Sequence, residues 1–389
     1  MKKIIALIIC FAAVCFSCFG ASAAQISMTG NVASITEIPE NGTVILALYS
    51  EKTLGGVKIY RGNNDISVNY TDAFGDGWEK ADEIKTFVWD SKNISPICAV
   101  ESFKRSDSSE KVGEFNLENR TVMLNSGYEM PILGIGTYRL SDTQAENSVY
   151  WALRDGYRLI DTARIYGNET GVGRGIKRAI DEGLVKREDI FVTTKMWTAD
   201  FDNGDAAIDA SLNRLGLDYI DLMILHHSQP SNDVKAYKSM EKAVKDGKLR
   251  SIGLSNYYTA DDFDRLVNQT EITPALLQNE THPYHQSAEM KEHLKQYKTV
   301  MESWFPLGGR GNTQTLFNDE TISSIAKAHN KTSAQVILRW HLQAGNIAIP
   351  GSSNESHIKE NNDIFDFELS DDEMQKMTAI DKNQRFASY

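Results

Sequence analysis

Two patterns of apolar and polar residues follow one another along the chain. From about residue 25 to residue 103, apolar and polar residues alternate in short runs that Asn, Gly, Asp or Pro residues separate, which is typical of half-buried β-strands. From about residue 120 onward, near-continuous apolar runs alternate with stretches whose apolar residues recur every three or four positions, as in buried strands and amphipathic helices. The change of period predicts two regions of different fold class.

The first region predicts a small all-β sandwich of immunoglobulin-like type over residues 25–103. Its runs are rich in β-branched and aromatic residues, and no capped helical pattern interrupts them. The acidic stretch TDAFGDGWEKADE could hold calcium, but it lacks the ligand spacing of an EF-hand, so we expect a solvated turn there. The phrase EIKTFVWDSKNISPI resembles the closing strands of small β-sandwich modules in secreted and cell-surface bacterial proteins. One hypothesis is that this region docks the protein to the cell surface or wall, a partner protein or a polysaccharide. The strands are expected in TVILALYS, GVKIYRG, ISVNYT, IKTFVWDS and ICAVESF.

The second region predicts an α/β fold, a (β/α)8 TIM barrel over residues 114–389. Residues 104–113 are polar and predict a linker, after which a hairpin turning at Asn125-Ser126-Gly127 opens the domain. Eight apolar strands follow, separated by helical stretches, and eight parallel strand-helix units close into a barrel. The strands are expected in MPILGIG, YRLIDTA, DIFVTTK, YIDLMILHH, LRSIGLS, PALLQNE, TVMESWFP and NIAIPGSS.

An open, doubly wound sheet is the competing fold for this region. Such a fold typically carries a GxGxxG turn after its first strand, and MPILGIGTY does not provide one. The glycines of GVGRG, residues 171–175, lie inside a predicted helix, ten residues beyond their strand. We therefore interpret them as packing positions and expect the closed barrel.

Residues 1–24 predict a Sec-type signal peptide. Two lysines precede an apolar run, and small residues ending in Ala21-Ser22-Ala23 follow it. The apolar run is shorter than the roughly 20 residues that a membrane-spanning helix needs. We expect cleavage near Ala23 or Ala24 and export to the cell surface or the medium. An uncleaved anchor and lipidation at Cys18 are the alternatives.

Composition narrows the classes of partner. The chain has 389 residues and a formal net charge of -12, so we expect no nucleic-acid partner, because no basic stripe is available to neutralise phosphates. Cys98 is the one cysteine outside the predicted signal peptide. We expect a monomer that has no internal disulfide and is held together by its core, which a chain of this length can provide.

Four side chains at the carboxyl ends of the predicted strands form one chemical set. The active site of a (β/α)8 barrel lies at these ends, where Asp161, Lys195 and His226 stand, with Tyr166 in the loop after Asp161. A buried lysine is costly unless it is paired, which gives Asp161 its role. A neighbouring ammonium favours the phenolate of a tyrosine, and a histidine can orient a substrate oxygen. The set predicts a tyrosine proton donor that is tuned by Lys195.

The region from about residue 120 to residue 386 resembles the aldo-keto reductase family. Six motifs stand in the order and on the strands where that family has them: RLIDTARIYGNE, FVTTKMW, YIDLMILHH, SIGLSNY, LLQNETHPY and IPGSSNESHIKEN. The resemblance implies reduction of aldehydes or ketones with NADP(H) or NAD(H) and without a metal. It implies a catalytic tetrad of Asp161, Tyr166, Lys195 and His226.

The resemblance also implies binding residues for the cofactor and the substrate. Trp304 would stack on the nicotinamide ring, although plain core packing is the alternative for this residue. The other implied cofactor residues are Gly136, Thr137, Ser255, Asn256, Gln278, Pro306, Leu307, Ser352, Ser353, His357 and Asn361, and the implied substrate residues are Tyr138, Trp197 and His227.

The chain departs from the family pattern at its cofactor and substrate ends. Many members have Trp-Pro where this chain has His227-Ser228, and a lysine and an arginine where Gly351 and His357 stand. Because those cations usually bind the 2'-phosphate of NADP, we expect only a weak preference for NADPH over NADH. The short tail after Phe367 implies an open pocket for small or varied carbonyl compounds.

Two alternatives to a metal-free reductase stay open in the sequence. A reductase-like barrel could serve as a non-catalytic or weakly active binding or sensory module at the cell surface, because free NAD(P)H is scarce outside a cell. His282 and His285 could chelate a metal. Adjacent residues of a strand point to opposite faces, so His226 and His227 are expected to make a poor metal pair.

Overall fold

The chain divides into two compact units, residues 1–110 and 111–389. The computed structural model describes residues 24–29, 32–50, 53–61, 64–79, 81, 83–90, 92, 95–96, 101–104 and 112–387. The predicted signal peptide lies outside the described residues, apart from Ala24, and so does most of the predicted linker at 104–113. The division between the units falls inside that linker.

Within its described residues, the first unit contains two antiparallel sheets. Their strands are β1 (Gln25–Thr29), β2 (Val32–Thr36), β3 (Gly42–Ser50), β4 (Thr53–Arg61), β5 (Ile66–Asn69), β6 (Glu83–Asp90), β7 (Ser95–Pro96) and β8 (Glu101–Lys104). One sheet has the order β1-β2-β5, and the other has the order β4-β3-β6-β7, with β8 also paired to β6. Side chains of both sheets, among them Ile35, Leu46 and Ile84, are buried in one hydrophobic cluster. The two sheets therefore share a core.

Two short helices stand where the sequence predicted a solvated turn; Thr71, Asp72 and Gly77 are exposed as expected, but the turn prediction was wrong because the backbone is helical. They are α1 (Tyr70–Phe74) and α2 (Asp76–Glu79). The Asn69 side chain caps α1 by accepting hydrogen bonds from the backbone N–H groups of Thr71 and Asp72. The rings of Tyr70 and Trp78 are buried in contact, with centroids 4.8 Å apart. A capping residue and two buried aromatic rings thus draw this acidic stretch onto the core.

The second unit opens with a three-stranded antiparallel sheet. Its strands are β9 (Phe115–Asn116), β10 (Thr121–Met123) and β11 (Glu129–Pro131), in the order β11-β10-β9. The hairpin between β10 and β11 turns at the predicted place, where Gly127 has a φ of 85°. This conformation favours glycine, so the turn prediction is confirmed.

Eight parallel strands form the barrel. They are β12 (Gly134–Gly136), β13 (Leu159–Asp161), β14 (Phe191–Met196), β15 (Ile220–Leu225), β16 (Leu249–Ser255), β17 (Leu276–Glu280), β18 (Val300–Trp304) and β19 (Asn346–Ala348), which neighbour one another in chain order. Parallel bridges from Leu133 to Ala348 and from Gly136 to Gly351 join the first strand to the last. The predicted barrel is confirmed, and the open sheet is excluded.

Helices surround the strands. They are α3 (Asp142–Arg154), α4 (Glu169–Asp181), α5 (Gly204–Leu215), α6 (Asp233–Lys245), α7 (Ala260–Val267), α8 (Ala288–Leu294), α9 (Thr313–Phe317), α10 (Glu320–His329), α11 (Ser333–Gln343), α12 (Glu355–Asn362) and α13 (Asp371–Ala379). The sequence did not locate α3 or α11, and α11 is buried almost along its whole length. Within the part of the chain that the structure describes, no helix combines the length and the apolar character needed to cross a membrane.

The glycines of α4 allow close packing of helices. A Cβ atom on Gly171 would lie 2.0 Å from the backbone oxygen of Asp142, and one on Gly173 would lie 2.2 Å from that of Leu215. A Cβ on Gly175 would lie 2.6 Å from the backbone oxygen of Glu146. These contacts confirm the interpretation of GVGRG as a set of packing positions and not a phosphate loop.

Candidate active site

The carboxyl ends of the barrel strands surround a cavity of about 910 Å³, a volume at the upper end of the range for ligand sites. Two predicted site residues, Lys195 and Thr137, lie behind its wall, and the Thr137 hydroxyl donates to the backbone oxygen of Asp161 at 3.0 Å. The wall includes the other predicted site residues: Gly136, Tyr138, Asp161, Tyr166, Trp197, His226, His227, Ser255, Asn256, Gln278, Trp304, Pro306, Leu307, Ser352, Ser353, His357 and Asn361.

A buried ion pair forms the base of the cavity. The Lys195 Nζ donates to both carboxylate oxygens of Asp161, at 2.6 and 2.7 Å, and to the backbone oxygen of Thr162 at 2.8 Å. All three ammonium hydrogens therefore have acceptors. Burial raises the pKa of the Asp161 carboxyl, while the Lys195 charge and hydrogen bond lower it. Because Lys195 is fully buried, removal of either partner would leave an uncompensated charge in the interior.

Tyr166 lies over this pair. Its ring centroid is 5.0 Å from the Lys195 Nζ, and its ring contacts that of His226 edge-on at 5.7 Å. Burial raises the pKa of Tyr166 well above its ordinary value, and the nearby Asp161 and Tyr138 raise it further. The influence of the Lys195 charge on Tyr166 stays a prediction, because the Lys195 Nζ lies 5.0 Å from the ring centroid while its hydrogen bonds go to Asp161 and Thr162. The phenol is held in its protonated form.

His226 carries a neutral imidazole. Burial, together with the charge of Lys195 and the neighbouring His227, lowers the pKa of His226 to about 2. The rings of His226 and His227 are stacked, with centroids 5.1 Å apart and planes 7° apart. The expectation of opposite faces was wrong because β15 ends at Leu225 and strand alternation no longer applies. Trp197 packs edge-on against both rings, at 5.2 and 5.4 Å.

Hydroxyl and amide side chains extend the polar surface of the cavity: Ser255 ends β16, Asn256 follows it, and Gln278 lies on β17. The Ser255 hydroxyl donates to the Gln278 backbone oxygen at 2.8 Å, and the Asn256 amide donates to the His226 backbone oxygen at 2.8 Å. Asn256 has a φ of 60°, a conformation that asparagine tolerates better than most residues. The Tyr258 hydroxyl donates to the Asn256 side-chain oxygen at 2.8 Å. The Asn256 amide is thus held from two sides.

Glu302 is a site residue that sequence reasoning missed. It lies on β18 directly opposite Gln278 of β17 and is fully buried. Its Oε2 accepts a hydrogen bond of 2.6 Å from the Gln278 Nε2, which also donates to Asp161 at 2.8 Å. Burial and the Asp161 charge raise the pKa of Glu302 to about 8. The available signal was a glutamate inside the apolar strand VMESW.

Aromatic rings form the wall on the other side of the cavity. Trp304 packs edge-on against Phe305 with centroids 4.9 Å apart, and Tyr138 contacts both Phe305 and Tyr166, at 5.9 and 5.0 Å. Trp304 lines the cavity and is only partly buried, so plain core packing does not describe it. Arg310 also lines the cavity, as do Phe305 and Arg139, which sequence reasoning had not identified.

The far end of the cavity lies at the start of α12. Asn354 caps this helix by accepting from the Ser356 backbone N–H at 2.9 Å, and Ser352 accepts from the Asn354 N–H at 3.0 Å. His357 of α12 is exposed, and the exposed Arg310 lines the same cavity. Gly351 contributes no positive charge to this end of the cavity.

The C-terminal tail packs on Glu280 beside the site and does not line the cavity. The buried Glu280 carboxylate accepts from the backbone N–H groups of Phe386, at 2.5 Å, and Ala387, at 3.2 Å, and from Arg385 Nε at 3.2 Å. The Arg385 guanidinium lies 3.8 Å from the Tyr258 ring centroid. The Arg385 charge and, above all, burial lower the pKa of His227. The tail therefore borders the site without lining the cavity.

The described residues contain no cluster of side chains that could bind a metal ion. No group of three or more His, Cys, Asp or Glu side chains there is arranged to hold an ion. His282 pairs with Glu280 at 3.1 Å and stacks on the Phe386 ring at 4.3 Å. The His282 and His285 rings, which could have chelated, have centroids 6.3 Å apart.

The site suits a nicotinamide cofactor in shape and in chemistry. Three tetrad residues, Asp161, Tyr166 and His226, line the same cavity as Gln278 and as Ser352, which lies just before α12. Neutral amide and hydroxyl groups at Ser255 and Asn256 match a carboxamide, and Trp304 offers a ring face. Backbone N–H groups at the start of a helix favour an anionic group at the other end.

The second unit is similar to known reductases. The model of the Aldo/keto reductase family matches residues 132–382. An aldo-keto reductase of Mycobacterium sp. (strain MCS) is 43% identical over 273 residues, which are 68% of this chain and 92% of that protein. The glyoxal reductase of Bacillus subtilis (strain 168) is 42% identical over 268 residues, which are 68% of this chain and 94% of that protein. The crystal structure of Bombyx mori aldo-keto reductase in complex with NADP has a TM-score of 0.65 at 35% identity, covering 69% of this chain and 94% of that one.

Proposed function

This chain belongs to the aldo/keto reductase family, and we propose that its cavity reduces small aldehydes and ketones with Tyr166 as the proton donor. The chain is an NAD(P)H-dependent oxidoreductase that acts on carbonyl groups, as its reductase relatives are. The observation that carries the residue assignment is the buried Lys195–Asp161 pair under Tyr166, with a neutral His226 against the same ring.

Ser255, Asn256 and Gln278 would hold the nicotinamide carboxamide, and Trp304 would lie against the ring. When bound, the cofactor supplies the hydride that the carbonyl carbon receives. The four catalytic side chains supply the proton and the orientation of the carbonyl oxygen. Because the cofactor end and the tetrad share one cavity, a carbonyl group can reach both.

Tyr166 donates its phenolic proton to the substrate oxygen as negative charge develops there. A tyrosine is protonated at neutral pH, so Tyr166 carries the proton that reduction requires. The neutral His226 ring offers an N–H donor that can hold the carbonyl oxygen in place. Lys195 and Asp161 fix the polar base on which the Tyr166 ring rests and keep a compensated charge behind it.

The substrate end of the cavity suits compact carbonyl compounds. Tyr138 and Trp197 give flat, rigid walls, and His227 adds a polar face stacked on His226. The glyoxal reductase of Bacillus subtilis is among the relatives. We therefore propose small aldehydes, including dialdehydes, as the first substrates to test. A purely non-catalytic binding role is not favoured, because the tetrad is complete.

The cofactor preference follows from the charges at the far end of the cavity. Gly351 contributes none, and His357 and Arg310 are exposed cations or potential cations that line the same cavity as Ser352 and Ser353. We propose that both NADPH and NADH bind, with a weak preference for NADPH.

The N-terminal residues support a second proposal, which concerns where the protein is located. We propose that residues 1–24 direct export and that the two sheets sharing one core form an immunoglobulin-like sandwich that contacts the cell surface or wall. Expression of the full chain in a Gram-negative host, followed by fractionation and N-terminal sequencing of the mature protein, tests export. A cytoplasmic chain that retains Met1 would contradict it.

The experiment that tests the function directly uses the purified full chain with NADPH and a small aldehyde such as glyoxal. Turnover is measured as the decrease of the absorbance band that belongs to the reduced nicotinamide ring of NADPH. Tyr166→Phe should abolish most of this turnover while NADPH still quenches tryptophan fluorescence. An inactive parent protein that binds neither cofactor would contradict the proposal.

A further inference from the structure

Gln278 stands between two buried carboxyl groups. Its Nε2 donates to Asp161 Oδ2 at 2.8 Å and to Glu302 Oε2 at 2.6 Å. A primary amide nitrogen has two N–H groups, so both are used. The amide orientation is therefore fixed, with its nitrogen toward the two carboxyl groups, while Gln278 also lines the cavity.

The two carboxyl groups differ in their compensation. Asp161 receives two hydrogen bonds from the Lys195 ammonium, whereas the Glu302 Oε1 is buried without a hydrogen-bond partner among the described residues. A second buried negative charge without its own cation would be costly. Geometry and charge count therefore both favour a neutral Glu302, and this agrees with a pKa of about 8.

The groups that face Glu302 are few. Asp161 of β13 and Lys195 of β14 act on its charge, and Gln278 of β17 binds it directly. On the other side, β19 places Ile347 opposite it. A charge on Glu302 would in turn act on Tyr166. Only one cation, Lys195, thus serves two buried carboxyl groups in this set.

We propose that Glu302 is a positioning residue whose carboxyl, uncharged at neutral pH, holds the Gln278 amide so that its oxygen is presented to the nicotinamide site. This inference rests on the proposed function for the presence of a nicotinamide. Glu302 does not touch the reacting atoms; it acts through Gln278. Because Glu302 is neutral, the positive charge of Lys195 compensates the charge of Asp161 alone.

The first test measures the Kd of NADPH by tryptophan quenching at pH 7 in the full chain. Glu302→Ala removes the acceptor of the Gln278 N–H and should raise Kd about fivefold to tenfold, the usual loss for one hydrogen bond. Glu302→Gln keeps a neutral acceptor in the same shape and should stay within about threefold of the parent. Glu368→Gln, which changes an exposed glutamate, is the matched control.

Two results of this test would overturn the inference. One is an unchanged Kd in Glu302→Ala. The other is an equal loss in Glu302→Gln and Glu302→Ala when both fold as the parent does by circular dichroism. If the parent protein itself binds no NADPH, the proposed function fails, and the second test decides the charge state of Glu302 separately.

The second test needs no cofactor. Because the pKa of Glu302 is raised from 4.5 to about 8 in the folded chain, the folded state keeps a proton that the unfolded state has lost between these values. Stability from this group is therefore lost as pH rises through this window, by about tenfold in the unfolding constant per pH unit. Glu302→Gln lacks that dependence, so its barrel Tm should gain on the parent from pH 5.5 to 8. A constant Tm difference over that range would overturn the neutral carboxyl.

Discussion

Removing the charge of Lys195 should lower the stability of the barrel without changing its fold. Lys195→Met keeps an unbranched side chain but leaves the Asp161 carboxylate buried beside Gln278 without its cation. Breaking a buried pair from one side costs about 3–5 kcal/mol. At about 2–4 °C per kcal/mol for a domain of this size, the barrel Tm should fall by roughly 6–20 °C.

The assay is differential scanning calorimetry of the full chain at pH 8 and at pH 4.5. Without Lys195, the pKa of Asp161 should rise further, because burial raises it and the ammonium lowers it. Protonation of Asp161 at low pH then removes the uncompensated charge, so the Tm deficit should shrink toward pH 4.5. The double variant Asp161→Asn, Lys195→Met should melt above Lys195→Met at pH 8. A Lys195→Met protein as stable as the parent, or a double variant less stable than the single one, would refute the buried-pair reasoning.

Three further predictions concern the unit boundary, the cofactor and the tail. A protein beginning at Gly113 should fold and keep reductase activity, because the unit from 111 to 389 has its own core; an insoluble or inactive fragment would show that the first unit completes it. Kd values should favour NADPH over NADH by less than about tenfold, or about 1.4 kcal/mol, because Gly351 adds no cation; a strong preference for NADPH would implicate another cation, Arg310 or Lys359. Deleting residues 384–389 removes three donors from the buried Glu280 carboxylate and should lower the barrel Tm, since an unsatisfied buried acceptor costs about 1–3 kcal/mol; deletion of 388–389 alone is the control, and equal Tm values would contradict the tail contact.

The barrel was predictable because its signals are long and repeated. Apolar strands at regular intervals leave few other folds, and the strand ends identified Asp161 and Lys195 as neighbours before any coordinate was known. The helix α11 was missed although Gln335, Arg339 and Gln343 recur every four residues along it, a spacing that marks one face of a helix.

The charge states within the site were not predictable from residue types. The influence of Lys195 on Tyr166 depends on where three ammonium hydrogens point, and this geometry is set by Asp161 and Thr162 together. Glu302 was overlooked because one acidic residue in an apolar strand signals only that something unusual is buried. The stacking of His226 on His227 required knowing that the strand had already ended.

The central claim is that Tyr166 is the proton donor of a carbonyl reduction, and Tyr166→Phe tests it most directly. The change removes one hydroxyl and little volume, so the Tm and the Kd of NADPH should stay near the parent values. Steady-state reduction of a small aldehyde should fall by about 10²- to 10⁴-fold, the usual contribution of general acid catalysis. Tyr150→Phe, which removes a hydroxyl that donates to Glu182 on the barrel surface, should keep the parent rate. A Tyr166→Phe protein that reduces the aldehyde at the parent rate would contradict the account.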